Sequence, residues 1–405
     1  MKFEDLKLSN DLFKAVNKLG LTEPTEIQEK SIPHILIGKD VIGESATGSG
    51  KTLAFGCGII DQVAPNRGLQ ALVLVPTREL AEQVRKSISD LSDDRRIKVA
   101  AVYGGVSINP QMTALKRCEV IVATPGRLSD HMRQKTVDFS RIKILVLDEA
   151  DRMLDMGFIR DVEKIIQGCP RQRQTMFFSA TISDDIKYLA DKYMNNPIRV
   201  SAAKLVDPGK LKQIYYNTPR GLKLPLLVSL LKNEKSGLVM VFCNMRVTTD
   251  FVVKNLQVNK IDATAIHGGL TQNKRSRMME LFNNAKVSVL VCTDVAARGL
   301  HIDNVSHVYN YEIPKDSKDY VHRIGRTARA GENGIVVNLL SEHDHDNFSR
   351  VLRDYSTFKI EKMITPSLER ITIIKNNNGR PSGRFNERNR NNHYNNGHKR
   401  GFKRW

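Results

Sequence analysis

No stretch of this chain restricts its fold more than Ser45-Ala46-Thr47-Gly48-Ser49-Gly50-Lys51-Thr52. It follows the short strand-like run Asp40–Gly43 and precedes an apolar helical stretch, the strand–loop–helix setting of a phosphate loop. Gly48 and Gly50 let backbone N–H groups converge on phosphate oxygens. Lys51 brings positive charge to the β and γ phosphates, Thr52 offers a hydroxyl to Mg²⁺, and the helix starting there adds its positive end. The strict pattern begins with Gly; here Ser45 stands in that place and the Gly-Ser-Gly-Lys-Thr core is intact.

Around this loop the sequence alternates short apolar runs with helix-like segments. Val41-Ile42, Ala71–Val75, Val99–Tyr103, Val120–Ala123, Ile144–Leu147 and Met176–Phe178 form one series. Leu238–Phe242, Ala263–Ile266, Val287–Cys292, His307–Tyr309 and Ile335–Leu339 form a second. Continuous apolar strands of this kind fit parallel sheets covered on both faces, so the expectation is α/β, with two open sheets in tandem. The boundary is expected near 200–212, where Pro197 and Asp207-Pro208-Gly209-Lys210 interrupt the pattern. Residues 344–366 read as helical, with Phe348, Leu352 and Tyr355 on one face.

Charge points to the class of partner. The net charge of +19 suits a polyanion. Residues 376–405 hold eight Arg or Lys against Glu387 alone, and nine Asn, a composition that cannot bury enough to order itself. Such a tail is expected to add phosphate contacts, with Phe385, Tyr394, Phe402 and Trp405 available to stack on bases. No run approaches the roughly 18 apolar residues of a membrane helix. The N-terminus lacks a secretory apolar stretch. The five cysteines lie 49 to 74 residues apart with no CxxC pair. A cytoplasmic protein with buried, reduced cysteines and no membrane partner is the expectation.

Far downstream of the phosphate loop, Ile142–Leu147 ends in Asp148-Glu149-Ala150-Asp151. Carboxylates at a strand end fit magnesium binding by Asp148 and attack of water on a γ-phosphate assisted by Glu149. The expected reaction is ATP hydrolysis, with ATP and Mg²⁺ as cofactors.

At this point the chain resembles the DEAD-box RNA helicases, over about residues 1–365, with the motifs in family order. The resemblance implies two tandem RecA-like P-loop helicase domains with parallel sheets. It divides the chain into an adenine-recognition segment (1–35), a first domain (36–204), a linker (205–213), a second domain (214–366) and a basic tail (367–405). In Gly20–Gln28 it implies that Gln28 bonds the adenine edge, with Phe3 stacked on the ring. Ser179-Ala180-Thr181 looks like the segment that couples nucleotide state to strand separation, bonded to the acidic cluster through Asp151. Tyr320–Arg329 resembles the arginine-finger motif: Arg326 and Arg329 reach the γ-phosphate on closure, while His322 and Arg323 link to first-domain motifs. The family's usual Gly at 328 is Ala328 here, acceptable if the backbone is helical. Asp303 is placed near the ribose.

The same resemblance assigns RNA contacts to Pro76, Thr77, Arg78, Gly105, Thr124 and Arg127 in the first domain, and to Asn244, Gly269, Gln272, Arg275 and Thr293 in the second. Such groups grip a sugar–phosphate backbone without reading bases. The implied engine closes the two domains on ATP and one bent RNA strand, so that short duplexes open locally. Ribosome assembly, RNA decay, translation and cold response all suit such an enzyme. A DNA-directed helicase and an RNA-annealing clamp acting through the tail are the alternatives.

Overall fold

In a computed structural model the described residues are 1–45, 48–202, 211–233, 237–297, 302, 305–328 and 334–374. The strands in chain order are β1 Val41–Glu44, β2 Ala71–Leu74, β3 Val99–Val102, β4 Val120–Ala123, β5 Ile144–Asp148, β6 Gln174–Ser179 and β7 Ile198–Ser201. A second set comprises β8 Leu211–Asn217, β9 Leu238–Cys243, β10 Ala263–Ile266, β11 Val289–Thr293, β12 Val305–Asn310, β13 Gly334–Leu340 and β14 Ile360–Met363. The first sheet runs β3-β4-β2-β5-β6-β1-β7 and the second β10-β11-β9-β12-β13-β8-β14. Adding seven to each number of the first order gives the second, so the two sheets are topological copies. All their pairings are parallel.

The uninterrupted apolar runs follow from burial on both faces. In β5, Ile144 and Val146 enter one core cluster while Leu145 and Leu147 enter another across the sheet. The second sheet repeats this with Val239 and Val241 against Met240 and Phe242. The expected α/β class with tandem parallel sheets is the observed one.

Four expectations change. Leu211–Gln213, placed in the linker, open β8, an interior strand between β13 and β14. The helix from His345 stops at Asp354, and Ile360–Met363 then pairs with β8 as an edge strand. Val351, not Leu352, joins Phe348 in the core. Residues 367–374, expected to belong to the basic tail, lie on the second domain, where Leu368 and Ile371 pack on its core. Asn255 brackets the backbone of Ile374, accepting from its N–H (2.6 Å) and donating to its carbonyl (3.1 Å). Asn259 does the same to Thr372 at 3.2 and 2.8 Å. The basic stretch 376–405 lies outside the described residues, as do Ala46, Thr47, Asp303 and Arg329. Among the described residues no helix is long and apolar enough to cross a membrane.

Candidate active site

Sheet order decides which loops meet. Because β5, β6 and β1 are neighbours, their C-terminal ends bring together the phosphate loop after β1, Asp148–Asp151 after β5 and Ser179–Thr181 after β6. The loop enters the Lys51–Gln62 helix through Gly50 at φ +90°. Only glycine suits this position, since a Cβ there would also overlap Gln28 Nε2. Buried Lys51 donates from Nζ to the Ser45 carbonyl at 3.0 Å. The Ser45 and Ser49 hydroxyls lie 2.8 Å apart, which ties the two ends of the loop together.

Gln28 is buried beside this loop. Its Nε2 donates to the Gly50 carbonyl (3.0 Å), and its Oε1 accepts from Thr25 N–H (2.9 Å) as half of a capping box on the Glu26–Leu36 helix. Thr25 Oγ1 in turn donates to the Ser49 carbonyl at 2.6 Å. Thr25 was missed as a site residue, although Thr-x-x-Gln is a readable capping signature. An amide has further donor and acceptor capacity, so Gln28 retains valence for a base edge. Phe3 does not fit its expectation. At 2 % exposure it belongs to the first core cluster, beneath the Gln28 helix, and has no free ring face for stacking.

The acidic cluster is buried. Burial pushes the Asp148 carboxyl up to about 6, opposed by the charge of Lys51. Burial acts on Glu149 in the same direction, but Arg152, Lys51 and Arg326 overcome it and hold its carboxyl below the ordinary value. Arg152 Nη1 lies 2.9 Å from Glu149 Oε2, with both side chains almost fully buried. Arg152 was not named from sequence, yet its i+3 spacing on the following helix carried the signal. Glu149 itself sits in the left-handed region at φ +51°. Asp151 Oδ2 accepts both Thr181 N–H and Oγ1–H at 3.1 Å, and Asp151 N–H donates to Ser179 Oγ at 3.2 Å. The expected hydrogen bonding of Ser179 and Thr181 to the acidic cluster is thus present, at Asp151.

The second domain faces this cluster. Arg326 acts electrostatically on Glu149, and His322 on Asp151. Arg323 departs from expectation. Its Nε and Nη2 meet the two Asp294 carboxylate oxygens at 2.6 and 2.7 Å. Nη2 also donates to Asn244 Oδ1 (2.8 Å), and Nη1 to Asn310 Oδ1 (3.1 Å) and the Glu312 carbonyl. These partners follow or end β11, β9 and β12, adjacent strands of the second sheet, so Arg323 is a hub within its own domain. The Asn244 amide is taken up in the same hub, with Nδ2 on the Ile313 carbonyl. The backbone at Ala328 is not helical but left-handed, φ +55°, which explains why glycine suits the position better.

The candidate nucleic-acid groups line the strand ends of both sheets. Pro76, Thr77 and Arg78 follow β2, with Thr77 capping the Arg78–Ser92 helix through Leu80 N–H. Arg78 covers Gly105 so closely that a Cβ there would overlap its guanidinium, and Gly105 has φ +80°. Arg127 donates from Nη1 and Nη2 to the Val106 carbonyl, both at 3.1 Å, while Thr124 stands at the N-cap position of its helix without a side-chain capping bond. Across the cleft, Gly269 N–H donates to His267 Nδ1 and Thr293 ends β11. Gln272 and Arg275, expected as RNA contacts, instead reach Glu79 of the first domain at 3.3 and 2.9 Å. Gln272 Oε1 and Arg275 Nε stay buried without a hydrogen-bond partner.

The DEAD/DEAH box helicase family is matched over residues 25–189 and the helicase conserved C-terminal domain over 222–331. The ATP-dependent RNA helicase CshA of Limosilactobacillus reuteri is 45% identical over 351 residues, covering 85% of this chain and 70% of that one. Saccharomyces cerevisiae Dbp5 bound to RNA and ADP BeF3 superposes with a TM-score of 0.81 at 29% identity, covering 90% of this chain and 95% of that one. A variant of Dbp5 bound to Nup159, Gle1, IP6 and ADP gives 0.64 at 28% identity, with 89% and 96% covered.

Proposed function

The chain belongs to the DEAD/DEAH box helicases and is an ATP-dependent RNA helicase, and from that premise we propose how its residues divide the work. The phosphate loop, Ser45 to Thr52, cradles the phosphates, with Lys51 released from the Ser45 carbonyl to meet them. Gln28 reads the adenine edge and, through Gly50, reports it to the loop. Glu149 orients the attacking water. Its ion pair with Arg152 supports this role, because it keeps the carboxylate ionised in a buried site. Arg326 faces Glu149 from the other domain, where its charge would stabilise the transferring phosphoryl group. Arg329 and Asp303 keep the roles the resemblance gave them.

The donor set fits magnesium. Asp148 is a buried carboxylate near Lys51, and no group of three or more acidic, His or Cys side chains that would hold a metal by themselves occurs among the described residues. Mg²⁺ is commonly held by one or two carboxylates, waters and the substrate phosphates. Asp148 and Thr52 would hold it, and the ion would supply charge neutralisation at the phosphates.

RNA lies along the strand ends of both sheets, against Arg78, Gly105, Thr124, Arg127, Gly269 and Thr293. Gln272 and Arg275 bind Glu79 across the cleft and would meet the RNA backbone only on leaving it. Groups of this kind position a strand without reading sequence. The basic tail adds salt-sensitive phosphate contacts. All five cysteines are buried and unpaired, which supports a reducing cytoplasmic location.

The observation that carries this reading is the meeting of Lys51, Asp148, Glu149 and Arg326 at one point between two domains. Glu149→Gln tests it. ATP should still bind, while RNA-stimulated turnover falls at least a hundredfold, the lower range for a lost general base. Turnover within a few-fold of wild type would remove Glu149 from the mechanism.

A further inference from the structure

The turn that Arg78 and Arg127 clasp has an anchor deeper in the domain. Residues 104–106 make no backbone–backbone hydrogen bond with any described residue, so side chains fix their path. Tyr103, the residue before the turn, is held on two sides. Its phenol donates to Glu82 Oε1 at 2.7 Å, and its carbonyl accepts from Gln111 Nε2 at 3.0 Å. Gln111 lies on the Ile108–Leu115 helix and is 7 % exposed. Its Oε1 is 3.4 Å from His131 Nε2, and His131 Nδ1 is 2.8 Å from Thr136 Oγ1. His131 is fully buried on the Pro125–Arg133 helix, the helix that also carries Arg127.

The chemistry fixes the direction of these bonds. Gln111 Oε1 only accepts, so His131 Nε2 carries a proton. Burial and then the charge of Arg127 hold the imidazole below its ordinary pKa and therefore neutral. A neutral ring has one N–H, so with the proton on Nε2 the Nδ1 accepts, and the Thr136 hydroxyl, which also lies 3.2 Å from the His131 carbonyl, is shared between these two acceptors. The relay runs from Thr136 through His131 and Gln111 to the Tyr103 carbonyl. Neither Gln111 nor His131 has the exposure to touch a ligand. Buried polar groups persist when they satisfy other groups, and here the group satisfied is the backbone at the start of the turn.

We infer that Gln111 and His131 are positioning residues for RNA binding, holding the Gly104–Val106 turn in the shape that Arg78 and Arg127 clasp. The inference rests on the reading that this turn grips RNA. Cutting the relay leaves the Tyr103 carbonyl without its donor and lets the turn sample other shapes, so RNA must order it on binding.

Gln111→Met and His131→Leu cut the relay at two different links with apolar side chains of similar bulk, so either carries the test if the other fails to fold. The readouts are the RNA concentration giving half-maximal ATP turnover, kcat at saturating RNA, ATP affinity, thermal midpoint and amide exchange in the free full-length protein. Each variant should raise the half-maximal RNA concentration about tenfold, equivalent to about 1.4 kcal/mol. Saturating kcat and ATP affinity should stay within twofold, and exchange should quicken at 103–107. The double variant should be no worse than the stronger single one, since both break one relay. Gly105→Ala, inside the turn, separates the two ideas. If Gly105→Ala weakens RNA binding and the relay variants do not, the positioning role is wrong. If none of the three does, the turn does not grip RNA and the inference falls with that reading.

Discussion

Replacing Arg323 separates a hub inside the second domain from a link across the cleft. The side chain is 1 % exposed, and its fork engages both Asp294 oxygens, Asn244, Asn310 and the Glu312 carbonyl. Gln in its place would reach at most two of these and carries no charge. Asp294 would then keep a largely buried carboxylate without its cation, and removing one partner of such a pair costs about 3–5 kcal/mol. In a domain of about 150 residues each kcal/mol lowers Tm by roughly 2–4 °C, so Arg323→Gln should lower the second-domain transition by roughly 6–20 °C. Arg323→Lys keeps the charge but not the fork and should fall between. Calorimetry of the full chain measures the shift, and amide exchange assigns it to residues 211–374. A transition that moves less than about 2 °C while RNA-stimulated turnover is lost would show that Arg323 works across the cleft after all.

Ala328→Gly should raise the second-domain Tm by roughly 2–8 °C, because a left-handed backbone costs a Cβ-bearing residue about 1–2 kcal/mol; a lowered Tm would refute the strain. Burial alone would raise the Asp344 carboxyl, but the charge and hydrogen bond of Lys223 at 2.8 Å, with the Ser341 hydroxyl and N–H, hold it below its ordinary value. A depressed carboxyl contributes stability that is fully present above the ordinary carboxylate range and lost as pH falls through the folded value. Asp344→Asn should therefore flatten the pH dependence of the second-domain Tm below about pH 4, and an unchanged slope would contradict this. A double-mutant cycle on Glu79→Ala and Arg275→Ala, read by inter-domain distance with RNA and an ATP analogue, should give a coupling of about 1–3 kcal/mol. Additive effects would mean that their 2.9 Å contact does not help closure.

Local chemistry was legible without coordinates. Strands buried on both faces read as unbroken apolar runs, as in Ala71–Val75 and Ile144–Leu147, because every residue meets a core whichever way it points. β7, β8 and β14 escaped notice: Ile198–Ser201 and Ile360–Met363 are short and partly exposed, and Leu211–Asn217 carries Lys212 and Gln213 among its apolar residues. The phosphate loop and Asp148–Asp151 were readable because each does its work with consecutive residues. What lies opposite them was not.

Tandem parallel sheets, a phosphate loop and a carboxylate-bearing strand end were thus set by sequence alone, since each depends on residues close in the chain. Partner choice was decided by tertiary structure. A guanidinium fork has donors enough for either domain, and only the β11-β9-β12 adjacency puts Asp294, Asn244 and Asn310 within reach of Arg323. In the same way Glu79 meets Arg275, and Gln111 meets both His131 and Tyr103, because packing brings distant strand ends and helices together. Hydrogen-bonding capacity is a property of the residue type, whereas the atom that satisfies it is a property of the fold.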